Sequence, residues 1–305
     1  MIGILFCLPS FALHYPLPTG GSDVFGKIQV ASVQPNDTFT DIARQYDVGY
    51  FELVEANPEV NPDKLVPGTV LIIPTQHVLP QVPHDGIIIN LASMRLYFFP
   101  KGKNYFYTYP IGIGKEDWGT PLGVLRIIEK IKNPVWVVPK SVMTYRKEQG
   151  DPLPEMVPSG PDNPLGYFAL RLSKPTYLIH GTNDDDSVGR RSSAGCIHLY
   201  PKDIEQLFRM TSINTRVLII NQPYVAGWGD GKLLIEAHLP LQEDREALVD
   251  TKAVVTALVS SLLANDNMDQ EVHWDKAAEI LKEHTGIPTI IGFDQDVSLK
   301  SQRIE

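Results

Sequence analysis

The chain has 305 residues, a net charge of −9 and a sequence pI near 5.4. This acidic balance, without a basic patch, argues against nucleic acid as a partner. Hydrophobic residues make up 43% of the chain, enough for folded cores, and the length predicts two or three domains. The 25 prolines favour strands and irregular loops over long helices.

Residues 1–12 are predicted to be a signal peptide. The apolar run at residues 2–8 is too short to span a bilayer, and no other segment is long enough to do so. Ser10 and Ala12 are small residues at the two positions that a signal peptidase reads, so we expect cleavage after Ala12. No Lys or Arg precedes the apolar run, and an uncleaved apolar strand is the alternative.

Residues 28–74 are predicted to form a small α+β module with the order strand, helix, helix, strand. The positions that carry this pattern include a helix cap, a helical apolar face and a turn before the last strand: Asp37-Thr38, Ile42-Ala43, Tyr46, Asn57, Leu65, Pro67-Gly68 and Ile73-Pro74. The pattern resembles the LysM module, which implies binding to the glycan of peptidoglycan or chitin. A small structural domain that only packs on its neighbour is the alternative.

Residues 84–221 are predicted to form a mainly β domain. Its candidate strands are short apolar runs separated by turns, and its one clear helix begins at Pro201. Residues 222–305 are predicted to form a C-terminal subdomain with a hairpin turn at residues 227–231 and two helices. We expect this subdomain to contribute packing and no chemistry.

Cys196 is the strongest candidate for a catalytic residue. Its only companion, Cys7, lies in the predicted signal peptide, so cleavage leaves a thiol that cannot pair within the chain. His180 lies 16 residues upstream at the end of a predicted strand, where an imidazole could take the thiol proton and give an ion pair. Gly195 lets the backbone approach closely, so the N–H groups of Gly195 and Cys196 could form an oxyanion hole. A backbone carbonyl is a plausible group to orient the histidine.

The sequence His180-Gly181-Thr182, a loop, and then Ser193-Ala194-Gly195-Cys196-Ile197-His198 resembles the catalytic signature of L,D-transpeptidases with a YkuD-type domain. With the LysM-like module and the tail hairpin, it resembles the periplasmic ErfK/YbiS-type subgroup. The resemblance implies a β-sandwich catalytic domain, with Cys196 as nucleophile, His180 as base and the Gly181 carbonyl as its orienting group. Many members have histidine where this chain has Ala194.

The resemblance also implies the substrate and the location. Cys196 would attack the diaminopimelate carbonyl of a peptidoglycan tetrapeptide, release D-alanine and transfer the acyl group to an amine, with no metal or organic cofactor. The amine would belong to a second stem or to a lysine of an outer-membrane protein, and the enzyme would be periplasmic. The candidate substrate-binding residues all lie in the matching motifs: Arg191, Ser193, His198, Thr182 and Asn163.

Three alternatives remain at this point. Water as acceptor would make the protein a cysteine carboxypeptidase or endopeptidase. A peptidoglycan-binding scaffold with an inert Cys196 is the second. A zinc site from His180, Cys196 and His198 is the third, and it lacks a fourth ligand at a sensible spacing.

Overall fold

A computed structural model of the chain describes residues 14–263 and 270–294. The predicted signal peptide and Cys7 lie outside the described residues. Within the described ranges, no helix combines the length and apolar character that a membrane span requires.

The N-terminal region contains the predicted α+β module. Thr38 caps the first helix, since its side chain accepts the N–H of Asp41 while the Asp41 carboxylate accepts the N–H of Thr38. The module's two strands pair antiparallel and pack on its two helices, as predicted. The elements of this region are β1 (His14–Pro16), β2 (Val24–Gly26), β3 (Gln29–Ser32), α1 (Phe39–Tyr46), α2 (Tyr50–Glu55), β4 (Val70–Ile73) and β5 (Gln76–Val78).

The central domain is built on one curled nine-stranded sheet with the order β1-β8-β7-β6-β17-β10-β13-β14-β16. The inward side chains of its two halves meet in a single core, which the apolar face of α4 completes. The elements are β6 (Gly86–Asn90), β7 (Arg95–Phe99), β8 (Tyr105–Pro110), β9 (Ile113–Gly114), β10 (Gly123–Lys132), β11 (Trp136–Val137), α3 (Lys140–Glu148), β12 (Met156–Val157), β13 (Phe168–Leu172), β14 (Leu178–His180), β15 (Arg191–Ser193), β16 (Ile197–His198), α4 (Pro201–Met210) and β17 (Arg216–Ile220).

Helix α3 differs from the sequence analysis, which expected a single clear helix in this domain. Val142 is the one buried residue of α3. A helix that buries so little carries no apolar stripe at helical spacing, and the pattern therefore gave no signal for it.

The C-terminal subdomain forms a second sheet, with the order β18-β19-β21-β20, against which two helices pack. Strand β18 runs to Gly229, and the turn is made by Asp230 and Gly231, both at positive φ. The prediction of a turn over residues 227–231 was therefore too wide. The elements are β18 (Tyr224–Gly229), β19 (Lys232–Ala237), α5 (Thr251–Leu263), β20 (Gln270–Val272), α6 (Trp274–Glu283) and β21 (Thr289–Asp294).

Buried charges join the three regions. Arg95 of the central sheet donates to both carboxylate oxygens of Glu52 in the module, at 2.7 and 2.8 Å. His238, just after β19, lies 2.9 Å from Glu55 of the module and 2.9 Å from Glu236. The module therefore lies directly against the other two regions.

Candidate active site

Strands β14 and β16 bring His180 and Cys196 to one place. The two strands are parallel and pair Ile179 with Ile197 and His180 with His198. Cys196 immediately precedes Ile197, so it lies beside the start of β14 while His180 lies at its end. Both residues line the same cleft. The predicted convergence of a strand end and a loop end is what the structure has.

The ring of His180 is held by the main chain. Its Nδ1 lies 2.6 Å from the carbonyl oxygen of Gly181. A carbonyl oxygen only accepts, so Nδ1 carries the proton and Nε2 keeps its lone pair as a base. The Gly181 N–H donates in turn to the carbonyls of Leu165 and Phe168, at 3.1 Å each. These bonds fix the backbone at Gly181, whose carbonyl orients the imidazole.

The thiol of Cys196 is partly exposed, and its Sγ lies 3.7 Å from the carbonyl oxygen of Thr176. Burial raises the pKa of this thiol, while the N–H of Leu178 and the positive charge of Arg171 act in the opposite direction. The net result is a neutral thiol near neutral pH.

His180 is also neutral in this site. Burial, together with the neighbouring imidazole of His198, lowers the pKa of His180 to about 3, and the bond to Gly181 opposes the shift only in part. The two rings lie 5.9 Å apart. A preformed thiolate–imidazolium pair, which the sequence analysis expected, does not match this environment. The arrangement suits proton transfer during attack instead.

The loop before Cys196 is fixed by two hydroxyl groups. Ser193 Oγ donates to the Cys196 carbonyl at 2.6 Å and accepts the Gly195 N–H at 3.2 Å. Thr120 Oγ1 donates to the Gly195 carbonyl at 3.0 Å and accepts the Gly114 N–H at 3.2 Å. The Gly195 N–H is thus already donated, contrary to the expectation that it is available for an oxyanion.

Gly195 itself leaves no room for a side chain. Its φ is +102°, and an added Cβ would lie 2.9 Å from the Tyr177 ring and 3.3 Å from the Trp118 carbonyl oxygen. Glycine at this position therefore sets the backbone path that presents Cys196.

His198 and Thr182 line the cleft, but His198 Nε2 and the Thr182 hydroxyl form hydrogen bonds within the protein. His198 Nε2 lies 3.1 Å from the Ser187 carbonyl, and the ring is buried. Thr182 Oγ1 donates to the Asp184 carbonyl at 3.0 Å and accepts the Asp184 N–H at 2.9 Å. Both side chains shape the loop that follows His180.

The structure places the remaining predicted residues differently. Asn163 is fully buried; its amide donates to the Pro134 carbonyl at 2.9 Å and its side-chain oxygen accepts the Leu165 N–H at 2.9 Å. Asn163 thereby holds the segment that contains Leu165, whose carbonyl accepts the Gly181 N–H. Because its side chain is buried, it does not contact a substrate directly. Arg191 lines the cleft but is paired with Glu243 of the tail.

The cleft has a volume of about 1380 Å³ and is lined by all three regions. The module contributes Phe51, Glu52 and Glu55, and the tail contributes His238 to Gln242 and Arg245. The tail, which was expected to contribute packing and no chemistry, therefore packs beside the catalytic domain and forms part of the cleft wall. Among the described residues, no group of three or more His, Cys, Asp or Glu side chains is arranged to hold a metal ion.

Sequence reasoning missed Thr120 and Glu243 as residues of the site. Thr120 is separated from its partner Gly195 by 75 residues, and Glu243 from Arg191 by 52. No spacing in the sequence connects such pairs, because only the fold brings them together.

The chain is similar to known proteins of one family. Residues 84–219 match the family profile of the L,D-transpeptidase catalytic domain (YkuD), and residues 31–74 match that of the LysM domain. The chain is 39% identical over 293 residues to a probable L,D-transpeptidase of Escherichia coli K12, YbiS, covering 93% of each chain. It is 42% identical over 247 residues to another from that strain, YcfS, covering 79% of this chain and 77% of the relative.

Among solved structures, the NMR structure of the catalytic domain of an Enterococcus faecium L,D-transpeptidase is 20% identical, covers 46% of this chain and 99% of that chain, and gives a TM-score of 0.36. The extended identity to YbiS, over nearly the whole of both chains, is the decisive likeness. The chain belongs to the L,D-transpeptidase family, with a YkuD catalytic domain and a LysM domain.

Proposed function

We propose that this protein is an L,D-transpeptidase of the bacterial cell envelope that works in the periplasm on peptidoglycan. The observation that carries the proposal is the orientation of His180, whose Nδ1 proton is committed to the Gly181 carbonyl 2.6 Å away. The lone pair on Nε2 is thereby left for proton transfer, in the cleft that Cys196 also lines.

The donor is a tetrapeptide stem. As the Cys196 sulfur bonds to the diaminopimelate carbonyl carbon, the thiol proton passes to His180 Nε2. The tetrahedral intermediate then breaks its bond to D-alanine, and His180 protonates the leaving amine. Since burial keeps both groups neutral beforehand, the charge appears only as the sulfur attacks.

The resulting thioester passes to an amine. Attack by the amine of a second stem gives a cross-link, and attack by a lysine of an outer-membrane protein anchors that protein. In either case the nitrogen–carbon bond forms, the carbon–sulfur bond breaks, and the thiol is regenerated with a proton returned through His180.

The surrounding residues support these steps by position. Ser193 and Gly195 fix the Cys196 backbone, and the Cys196 N–H is the donor that we assign to the developing oxyanion. Thr182 and His198 hold the loop beside His180. Arg191 is the residue that we assign to a substrate carboxylate. The LysM domain is assigned to the glycan.

Purified protein incubated with disaccharide-tetrapeptide fragments tests the proposal by mass spectrometry. We expect loss of D-alanine and the appearance of a cross-linked dimer, both absent with Cys196→Ala. A hydrolysed tripeptide as the sole product would instead identify a carboxypeptidase. If the stem stays intact with the wild-type protein, the proposal fails.

A carbapenem provides a second readout of the nucleophile. Opening of its strained ring by the thiol leaves an acyl group on sulfur, so intact mass should rise by one drug mass per chain. The adduct should be absent in Cys196→Ala. An adduct of equal yield in that variant would place the reactive group elsewhere.

A further inference from the structure

A segment of the tail, residues 238–245, lies at one side of the cleft, which it lines with residues 238–242 and Arg245. Leu241 is buried within the core of the catalytic domain and fixes the segment there. Asp244 accepts a hydrogen bond from the side-chain amide of Asn221, and Arg245 Nε donates to the Pro240 carbonyl. We refer to residues 238–245 as the tail strap.

The carboxylate of Glu243, in the tail strap, forms an ion pair with the guanidinium of Arg191. The two terminal nitrogens of the guanidinium donate to the two carboxylate oxygens, at 2.9 and 3.1 Å. Nε donates to the Gly114 carbonyl at 3.1 Å and so fixes the plane of the group. This parallel two-bond geometry is what arginine offers to any carboxylate.

The exposure of the two side chains is unequal. The Arg191 side chain is 18% exposed and that of Glu243 is 42% exposed. The guanidinium therefore belongs to the wall of the site, while the carboxylate lies on the solvent side and can leave. Because Glu243 is the exposed partner, a carboxylate that enters from solvent can compete with it for the Arg191 guanidinium.

Arg191 is close to the nucleophile along the chain and across the sheet. It begins β15, whose last residue, Ser193, donates to the Cys196 carbonyl. Strand β15 pairs with β9, where the Gly114 carbonyl accepts from Arg191 Nε. A ligand carboxylate on Arg191 would thus lie in the cleft that holds Cys196.

The other arginines that line this cleft bind their partners in other geometries. Arg171 uses Nε for Glu129 and Nη1 for the Pro175 carbonyl. Arg146 pairs with Asp151, and Arg245 bonds the Pro240 carbonyl. Among the cleft-lining arginines of the described residues, Arg191 is the one that presents both terminal nitrogens to a carboxylate.

We propose that Glu243 is an internal substitute for a substrate carboxylate, so that an anionic peptide binds by displacing Glu243 from Arg191. The proposal rests on the proposed function for the identity of the peptide. When the cleft is empty, Glu243 neutralises a half-buried cation. When a stem peptide enters, its carboxylate takes the same two hydrogen bonds and the Glu243 side chain turns to solvent.

The affinity for an acidic peptide should therefore be limited by the fraction of molecules in which Arg191 is free. A neutral peptide does not compete with Glu243, and its affinity should not depend on this residue. The difference between acidic and neutral peptides is the signature of displacement, because a merely structural ion pair would affect both alike.

Calorimetric binding in a Cys196→Ala background tests this without turnover. The probes are the stem tetrapeptide with free carboxylates and the same peptide with every carboxylate converted to carboxamide. With Glu243→Gln we expect the Kd of the acidic probe to fall by roughly tenfold, the reciprocal of the free fraction, and that of the neutral probe to stay unchanged. Glu246→Gln, an exposed neighbour, is the matched control and should change neither Kd.

Two further variants complete the test. Glu243→Asp keeps the charge on a shorter side chain and should give an intermediate Kd, and Arg191→Gln should weaken the acidic probe and abolish the effect of Glu243→Gln. An unchanged or higher Kd of the acidic probe with Glu243→Gln, or no binding of that probe to either protein, overturns the inference. D-alanine release measured on the unmodified Cys196 protein reports on the proposed function separately.

Discussion

The hydroxyl of Thr120 bonds the carbonyl of Gly195, 75 residues away in sequence, at a distance of 3.0 Å. Through this bond, the turn after β9 fixes the peptide that immediately precedes Cys196. Thr120→Val should lower the rate of carbapenem acylation by about tenfold, since loss of one hydrogen bond of about 1 kcal/mol also frees the loop. Thr120→Ser keeps the hydroxyl and should retain most of the rate; equal losses in both variants would contradict this role.

The pH dependence of thiol reactivity should distinguish neutral partners from an ion pair. Because the pKa of His180 is held at about 3 and that of Cys196 is raised, the thiolate grows only as the pH rises above the usual thiol range. Alkylation of Cys196 by iodoacetamide should accordingly increase steadily toward alkaline pH. A plateau between pH 5 and 7 would indicate a preformed thiolate instead.

Removal of the base should lower turnover without removing the thiol. His180→Gln keeps a polar side chain of similar size but has no lone pair of comparable basicity. We expect D-alanine release to fall by roughly two to four decades, the range of general base catalysis. A fall of less than about fivefold would exclude His180 as the base.

Gly195 should tolerate no side chain. In Gly195→Ala the new Cβ meets the Tyr177 ring at 2.9 Å at a φ of +102°, so the loop must shift and misplace Cys196. Turnover should drop by at least about a hundredfold. Gly119→Ala serves as the control, because an added Cβ there meets no atom within 4 Å. Comparable losses in the two variants would show that crowding at Gly195 is not the cause.

The buried pair of His238 and Glu236 should make stability depend on pH. Although burial opposes charge in both groups, hydrogen bonds from His238 to Glu236 and Glu55 raise the pKa of His238 to about 10, and the charges of His77 and His238 lower that of Glu236 to about 2. The contribution of His238 is complete below its unfolded pKa of 6.5 and is lost as the pH rises through 10. That of Glu236 is complete above 4.5 and is lost as the pH falls through 2.

His238→Gln should consequently cost more unfolding free energy at pH 6 than at pH 9, as measured by chemical denaturation. His273→Gln, at an exposed position, is the control and should show little difference between the two pH values. A loss that is the same at both pH values would mean that His238 acts by packing alone.

Local sequence predicted that His180 and Cys196 lie near each other, because their two motifs lie on neighbouring parallel strands; their catalytic roles stay a prediction. The predicted family is confirmed by relatives such as YbiS, at 39% identity over 293 residues. The neutral state of His180 was beyond sequence reasoning, since it depends on burial and on His198 across the strand pair. Asn163 was predicted to bind substrate because it matches the family motif, but it is buried and its side-chain amide donates to three backbone carbonyls.

The module and the tail were predicted as separate units. The module's two paired strands and two helices, and the tail's hairpin and two helices, lie where the apolar patterns indicated, whereas β20 and β21 of the tail were not predicted. The contribution of the module and the tail to the cleft was not predictable, because Glu55 and His238 meet only through an interface between regions 183 residues apart in sequence. The position of the tail strap was likewise not predictable, because its Leu241 packs in the core of the catalytic domain.

Arg95 and Glu52 have side chains only 2% and 3% exposed, yet they belong to different regions. Neither region alone can bury its own charge without a partner, and removing one partner of such a pair costs about 3–5 kcal/mol. The LysM domain and the catalytic domain should therefore unfold together in a single cooperative transition. Shortening the chain to the catalytic domain, or exchanging this LysM domain for another, would leave the buried Arg95 without its carboxylate partner. This LysM domain therefore cannot be removed or replaced without loss of stability in the catalytic domain.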